Sequence, residues 1–214
     1  MISIRRKLMA QATAPSPGVL PSAYQEVEYI QGRVTYDPSY IDTLYIPTVN
    51  TKLRVKFTPN DANQYGYFGA REDPYRFYCA TFYTRTQLSC GLTVDSWPST
   101  RVALLAGSSY DCYIANGQSE INGTVITTPI ISAGDWSDSI GSICLKSRSA
   151  DSRFDPDSTA KFYICQIWEN NVLVRDFVPC YRKSDNEVGM YDTVGMRFYT
   201  NAGVGSLIAG PDVN

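Results

Sequence analysis

Apolar and polar residues alternate along much of the chain, and this pattern predicts β-strands. Residues 52–57 alternate between charged and apolar side chains, as a strand does when one of its faces is buried. Residues 76–83 are rich in aromatic side chains, and residues 162–168 form a long apolar run, so both are predicted strands. No stretch of helical length repeats its apolar residues every 3.6 positions, so we expect an all-β chain.

Turn-forming residues separate these predicted strands. Asn116-Gly117 and Asn122-Gly123 predict two tight hairpin turns. Residues 169–171 predict a third turn, after which residues 172–177 return as the partner strand. Many short strands in one block predict a single β-sandwich over residues 24–214, with the size and sequence texture of jelly-roll topologies.

Residues 1–23 have a different composition, with basic side chains, no acidic ones and three prolines. Because proline interrupts helices, we expect a short extended arm. The residues in this arm that we expect to dock on a larger acidic assembly are Arg5, Arg6, Lys7, Leu8 and Met9. The alternative is a disordered terminus. No apolar region follows the basic cluster, so we expect no secretion signal.

The composition excludes several chemistries. The chain has no histidine, so Ser-His and Cys-His nucleophile pairs are excluded. Its net charge is −2, whereas a general nucleic-acid-binding protein needs a basic face. No stretch approaches the length of about 20 apolar residues that a membrane span requires.

The cysteines match no metal or haem motif, because none of them forms a C-x-x-C pair. They are Cys79, Cys90, Cys112, Cys144, Cys165 and Cys180. Most lie in apolar or aromatic runs, so we expect buried free thiols. One or two disulfides are the alternative.

Two groups of motifs carry a resemblance to a known family. The C-terminal group comprises residues 161–180, 188–192, 197–206 and 209–211, and the N-terminal group comprises residues 20–24, 28–30, 40–43 and 68–71. The C-terminal group resembles a block common in phage and prophage virion proteins of gut bacteria, whose domain is laminin-G-like or concanavalin-A-like. The chain departs from this family at Leu44, where the family tends to have glycine after Tyr40-Ile-Asp-Thr43, and at a local insertion over residues 33–39.

The resemblance implies a virion structural or adhesion component, such as a capsid decoration, a head fibre or a tail adhesin. It would be assembled in the bacterial cytoplasm, with other virion proteins as partners and with symmetric copies of itself. Within the matching blocks, we expect Gly203 to occupy a turn at positive φ. We expect Arg175 and Asp176 to form a charge pair or to be solvated.

Neither an enzyme nor a cofactor is expected. β-Glucan-cleaving enzymes with this fold carry Glu-x-Asp-x-x-Glu on one strand, and here only Glu26-Val27-Glu28 has the first spacing. A glycosidase needs two suitably spaced carboxyl groups, and the sequence offers no local pair. Residues 151–157 form the densest acidic cluster, with Asp135 and Asp138 next. A weak calcium site in these loops is the alternative to solvated acidic side chains.

Three loops combine aromatic and small polar residues, as sugar-binding surfaces do. The candidate contacts for a glycan or a partner are Arg71, Tyr75, Asp95, Trp97 and Trp136. The alternative is that the two tryptophans are buried loop anchors, as we expect for Trp168 on its strand. The predicted function is thus a non-enzymatic virion protein that binds host glycans. A purely structural decoration or connector subunit is the second possibility, and a glycan-cleaving enzyme is a remote third.

Overall fold

The computed structural model describes residues 19–32, 38–60, 66–82, 86–96, 98–145 and 159–214, and it describes only the backbone of Phe82 and Asp138. Over these ranges the chain forms strands and two short 3-10 helices, at Ala133–Asp135 and Asp138–Ile140, and no α-helix. The prediction of an all-β chain is confirmed.

The strands are numbered in chain order. They are β1 (Tyr24–Glu26), β2 (Ile30–Gly32), β3 (Ile41–Asp42), β4 (Thr51–Pro59), β5 (Gly66–Glu72), β6 (Tyr75–Phe82), β7 (Gln87–Val94), β8 (Val102–Ala103), β9 (Tyr110–Ile114), β10 (Gln118–Ile121), β11 (Thr124–Thr127), β12 (Cys144–Leu145), β13 (Ala160–Glu169), β14 (Val172–Arg182), β15 (Glu187–Asp192), β16 (Arg197–Thr200) and β17 (Leu207–Ala209).

Within the described ranges, these strands make two antiparallel sheets. The larger sheet has eleven strands, in the order β11-β10-β9-β4-β13-β14-β15-β16, with β1 paired to β14 and β2 paired to β13 and β17. The smaller sheet has six strands, in the order β3-β12-β5-β6-β7-β8. Strands β6 and β7 of the smaller sheet contact β9 of the larger one. The architecture is therefore the predicted β-sandwich.

The core lies between the two sheets and is rich in aromatic side chains. Phe57 projects from β4 of the larger sheet, and its ring centroid lies 4.8 Å from that of Tyr67 and 5.6 Å from that of Phe68, both on β5 of the smaller sheet. Within the larger sheet, its centroid lies 5.8 Å from that of Tyr110 and 6.2 Å from that of Phe162. Such ring pairs add to the stabilisation that burial of apolar area provides.

The local sequence signals for strands and turns are confirmed. Strand β4 alternates buried and half-buried residues from Thr51 to Phe57, as its apolar pattern predicts. Asn122 and Gly123 have φ values of 48° and 78°, the conformation that a two-residue hairpin turn requires. Asn170 and Asn171, in the turn between β13 and β14, also have positive φ values, of 50° and 66°.

The prediction of a positive φ at Gly203 is wrong. Gly203 is not among the residues with positive φ. A Cβ atom added there would lie 1.9 Å from the carbonyl oxygen of Pro38. The position requires glycine because a second backbone segment approaches it closely, which is another use of this residue.

The expectation for Arg175 and Asp176 is also wrong. Arg175 pairs with Asp192, with 3.4 Å between its Nε and a carboxylate oxygen. Asp176 is buried and accepts hydrogen bonds from Gln166 Nε2 at 3.0 Å and from the Thr193 hydroxyl at 3.3 Å. Neighbours in sequence point to opposite faces of a strand, so their side chains find partners on different strands.

The predicted N-terminal arm lies mostly outside the described residues, and so do the expected docking residues 5–9. The backbone amide of Tyr24 donates to the Pro21 carbonyl at 2.9 Å, and that of Lys183 donates to the Ala23 carbonyl at 2.9 Å. The chain is thus attached to the larger sheet, beside β14, from Ala23 onward. Among the described residues, no helix has the length and apolar character needed to cross a membrane.

Candidate functional site

Four of the five candidate contact residues lie together at one end of the sandwich. Arg71 and Tyr75 flank the turn between β5 and β6, Asp95 follows the last residue of β7, and Trp136 follows the first 3-10 helix. We call the surface formed by these four residues and Asp73 the Tyr75 site. The fifth candidate, Trp97, lies outside the described residues.

Two aromatic rings from separate loops meet at the centre of the Tyr75 site. The ring centroids of Tyr75 and Trp136 are 5.6 Å apart with an interplanar angle of 71°, which is an edge-to-face contact. Both side chains are half-buried and pack against the core. Trp136 Nε1 donates to the Pro47 carbonyl at 2.9 Å, so Trp136 is anchored as a loop residue while part of its ring remains exposed.

Charged groups lie at the same β5–β6 turn, on the strand face opposite to Tyr75, because Arg76 follows Tyr75 on β6 and is the register partner of Arg71. The Asp73 carboxylate lies 3.0 Å from the guanidinium group of Arg71 and 3.0 Å from that of Arg76. The side chain of Asp73 is well exposed, whereas most of each arginine side chain is buried. The arginines are thereby held in fixed positions, and the turn presents hydrogen-bond donors and acceptors on the strand face opposite to the aromatic pair.

A backbone contact ties Asp95 to the same turn. Its amide donates to the Pro74 carbonyl at 3.1 Å, and its φ is 51°. Aspartate is one of the few non-glycine residues that adopt this left-handed conformation readily. The exposed carboxylate of Asp95 therefore lies on a backbone segment whose position is set relative to Tyr75.

Glu169 forms a second polar cluster at this end, one that sequence reasoning did not identify. Its carboxylate accepts hydrogen bonds from the hydroxyl groups of Tyr45, Thr48 and Thr51, each at 2.8 Å. Burial, followed by the hydrogen bond to Glu169, raises the pKa of Tyr45 to about 12. The cluster holds the segment before β4 against the end of β13, and this segment includes Pro47, the acceptor for Trp136.

The remaining acidic candidates show no assembled metal site. Asp135 is exposed and accepts a hydrogen bond from the Ser132 hydroxyl at 2.6 Å, while the side chain of Asp138 and all of residues 151–157 lie outside the described part. Among the described residues, no three His, Cys, Asp or Glu side chains are grouped so as to hold a metal ion. A weak loop calcium site stays a prediction.

Glu26 and Glu28 are both exposed, and Val27 between them is buried. Exposed and buried residues alternate here, as expected for an extended segment, so the two carboxylates lie on its solvent side. A glycosidase requires its pair of carboxyl groups to flank a bound sugar ring.

A small cavity lies near β2 and β13, away from the Tyr75 site. It is lined in part by Ile30, Tyr40, Phe162 and Leu207, and its volume is about 10 Å³. A space of this size holds at most one water molecule. A glycan would therefore bind at the surface of the sandwich and not in this cavity.

Comparison with known proteins identifies no family. No family model matches the chain, and no curated protein matches it. A native heptameric SAP-like pentraxin from Limulus polyphemus is similar in structure, with 10% sequence identity and a TM-score of 0.43, over 91% of this chain and 92% of that chain. At this identity and TM-score, the similarity assigns neither a ligand nor an assembly to the chain.

Proposed function

We propose that this chain is a non-enzymatic structural and adhesion protein of a bacteriophage particle. Its N-terminal arm attaches to other virion proteins, and its β-sandwich projects outward and binds glycans of the host surface through the Tyr75 site. Support for the phage assignment comes from the two groups of sequence motifs that bracket residues 20–211. Support for glycan binding comes from the Tyr75 site itself.

One backbone feature adds support to the family resemblance. Leu44 stands where the resembling family tends to have glycine, and its φ is 54°. Non-glycine residues adopt such a φ rarely, whereas glycine does so without steric cost. The chain therefore retains a glycine-type backbone conformation at a position where its residue has changed.

The glycan assignment rests on one observation, which is the convergence of Tyr75 and Trp136 at the end of the sandwich whose β5–β6 turn also carries the Asp73 ion pairs. Sugar rings present apolar faces that pack on aromatic side chains, and their hydroxyl groups form hydrogen bonds with charged and polar groups. The Tyr75 site offers both at an exposed surface without a deep pocket. Single-site affinity is then low, and many copies on one particle compensate by avidity.

Replacing Tyr75 by Ala lowers glycan affinity because it removes one of the two half-buried rings of the aromatic pair. We expect a loss of about threefold to tenfold per site, since an aromatic contact of this kind contributes about 0.5–1.5 kcal/mol. The measurement is binding of the purified protein to host cells and to polysaccharide extracted from them.

Tyr163 provides the matched control for this substitution. It is a half-buried tyrosine on β13, on the larger sheet and outside the Tyr75 site, so Tyr163→Ala leaves binding unchanged. If both variants keep their melting temperatures and Tyr75→Ala binds as well as the unmodified protein, the Tyr75 site does not bind glycan. Trp97 remains a candidate contact on sequence grounds alone.

Deleting residues 1–19 prevents incorporation into particles if the arm is the anchor. We expect at least a tenfold drop in the amount of protein per purified particle, while the truncated chain keeps the far-UV circular dichroism spectrum of a β-protein. The control replaces Arg5, Arg6 and Lys7 by Ala in the full-length chain, which separates the charge of the arm from its length. Normal incorporation of the truncated chain shows that the anchor lies elsewhere.

A purely structural decoration or connector role is the second candidate, and exposed apolar side chains favour it. Leu44, Ile46, Ile130 and Val172 are all well exposed, Ile130 at 83% and Val172 at 64%. Exposed apolar patches commonly mark protein–protein contacts. Normal incorporation into particles together with no binding on a glycan array would indicate this structural role. Release of reducing sugar from host polysaccharide would indicate the remote third possibility, an enzyme.

A further inference from the structure

Three of the six cysteines form a cluster in the core that the proposed function does not use. All six are buried free thiols, as the sequence predicts. Cys79 on β6, Cys90 on β7 and Cys112 on β9 all lie in the core between the sheets, and Cys90 Sγ donates to the Tyr113 carbonyl on β9 at 3.9 Å. The cluster therefore joins the two sheets, because β6 and β7 belong to the smaller one and β9 to the larger one.

The three thiols are not equivalent within the cluster. Burial raises the pKa of Cys79 and of Cys112. Burial also opposes ionisation of Cys90, but the neighbouring Cys112 and Cys79 thiols lower its pKa.

Strand register decides which pair can form a covalent bond. Cys79 and Cys90 are direct partners in the antiparallel pair of β6 and β7. Such partners have Cα atoms about 4.5–5.5 Å apart, within the range of about 4.4–6.8 Å that a disulfide spans. Cys112 lies on β9 of the facing sheet, so it has no register partner in the β6–β7 pair.

We propose that Cys79 and Cys90 form a cross-strand disulfide when the chain folds in the presence of a low-molecular-weight disulfide, and that Cys112 remains a thiol beside it. The bond closes the β6–β7 hairpin, whose opposite end carries Tyr75 and the segment leading to Asp95. This proposal stands independently of glycan binding and of the phage assignment.

Glutathione disulfide is a sufficient oxidant for the reaction. The Cys90 thiolate attacks one of its sulfur atoms, forms a mixed disulfide and releases a glutathione thiolate, which takes up the proton that Cys90 lost. The Cys79 thiolate then attacks the sulfur of Cys90, and the second glutathione leaves with the other proton. Two protein thiols are oxidised, and one glutathione disulfide is reduced to two thiols.

Peptide mapping identifies the bond directly. The full chain is reduced, unfolded and refolded in buffers that contain glutathione and its disulfide, and the remaining thiols are then blocked with iodoacetamide. Trypsin places Cys79 in residues 77–85 and Cys90 in residues 86–101, each peptide with a single cysteine, while Cys112 falls in residues 102–146.

We expect the peptides 77–85 and 86–101 to be joined, and to separate after reduction with dithiothreitol. The oxidised protein melts roughly 5–10 °C higher than the reduced protein, as closing a short loop in a chain of this size predicts. Recovery of both peptides as alkylated free thiols overturns the proposal. Linkage of either peptide to residues 102–146 overturns it as well.

Cysteine variants test which residues form the disulfide. For each variant, the measured quantity is the difference in melting temperature between its oxidised and reduced forms, because this difference does not depend on the absolute stability of the variant. Cys79→Ala abolishes this difference, whereas Cys112→Ala keeps it. Cys165→Ala is the matched control, because Cys165 is fully buried on β13 outside the cluster, and it also keeps the difference. A difference that persists in Cys79→Ala, or that is lost in Cys112→Ala, contradicts the assignment. If Cys79→Ala does not fold, the peptide map of the unmodified chain decides.

Discussion

Replacing Asp192 by Ala lowers the free energy of unfolding by about 3–5 kcal/mol, the cost of removing one partner from a buried ion pair. Asp192 is fully buried. One of its carboxylate oxygens accepts hydrogen bonds from the backbone amides of Asp176 at 3.0 Å and Val194 at 3.1 Å. The other lies 3.4 Å from Nε of Arg175. The substitution leaves two backbone amides without their acceptor and the Arg175 guanidinium group without its ion-pair partner.

The Asp192 substitution also affects contacts at the end of the sandwich that carries the Tyr75 site. The guanidinium group of Arg175 lies 5.9 Å from the ring centroid of Tyr45, and Tyr45 donates its hydroxyl hydrogen to Glu169. Loss of Asp192 therefore releases a cation that packs on the segment between β3 and β4. Urea unfolding, followed by tryptophan fluorescence, measures the loss.

Asp185→Ala is the matched control, because Asp185 also pairs with an arginine, Arg182, at 2.6 Å. This pair is on the surface, with 49% of the Asp185 side chain exposed, so its removal costs less than about 1 kcal/mol. Equal losses for Asp192→Ala and Asp185→Ala would show that the buried pair does not stabilise the sandwich.

Replacing Phe57 by Ala is the other substitution with a large expected effect, at about 3–5 kcal/mol of the free energy of unfolding. Phe57 is fully buried, and its ring packs on aromatic rings from both sheets, including Tyr67 on β5. Truncation removes apolar contacts and leaves a cavity that the rigid sheets close only in part. Thermal and urea unfolding measure the change.

Phe57→Leu separates the loss of volume from the loss of apolar character. Leucine keeps the site apolar and fills most of the space, so we expect a cost below about 1.5 kcal/mol. A second control is Phe198→Ala on β16, because Phe198 is only half-buried and packs on Tyr24 at the surface, 5.0 Å between ring centroids. If Phe57→Ala costs no more than Phe198→Ala, the core between the sheets is not where the sequence pattern places it.

Local patterns in the sequence were sufficient for the fold class. The alternation over residues 52–57 predicts β4 because only one face of that strand is buried, and this information lies within six neighbouring residues. The pair Asn122-Gly123 predicts a turn because both residues tolerate positive φ. In each case, the physical cause is a short-range preference of the backbone or of adjacent side chains.

Local reasoning was wrong where the partner is distant in the chain. Arg175 pairs with Asp192 on another strand and not with its neighbour Asp176. Gly203 is required by the approach of Pro38 and not by its own φ. In both cases, the sequence correctly singled out a residue with a specific structural role. That role is set by a contact with a residue far away in the chain, which a local pattern does not show.

By itself, the sequence determined the all-β class, the main hairpins, the burial of the cysteines and the residue types suited to sugar recognition, because each follows from periodicity or composition over a few positions. Only the tertiary structure decided that Tyr75 meets Trp136, that three hydroxyl groups converge on Glu169, and that Cys79 faces Cys90. Glu169 lies 118–124 positions from its partners. Such contacts depend on strand order and register across the whole chain, and no local pattern encodes them.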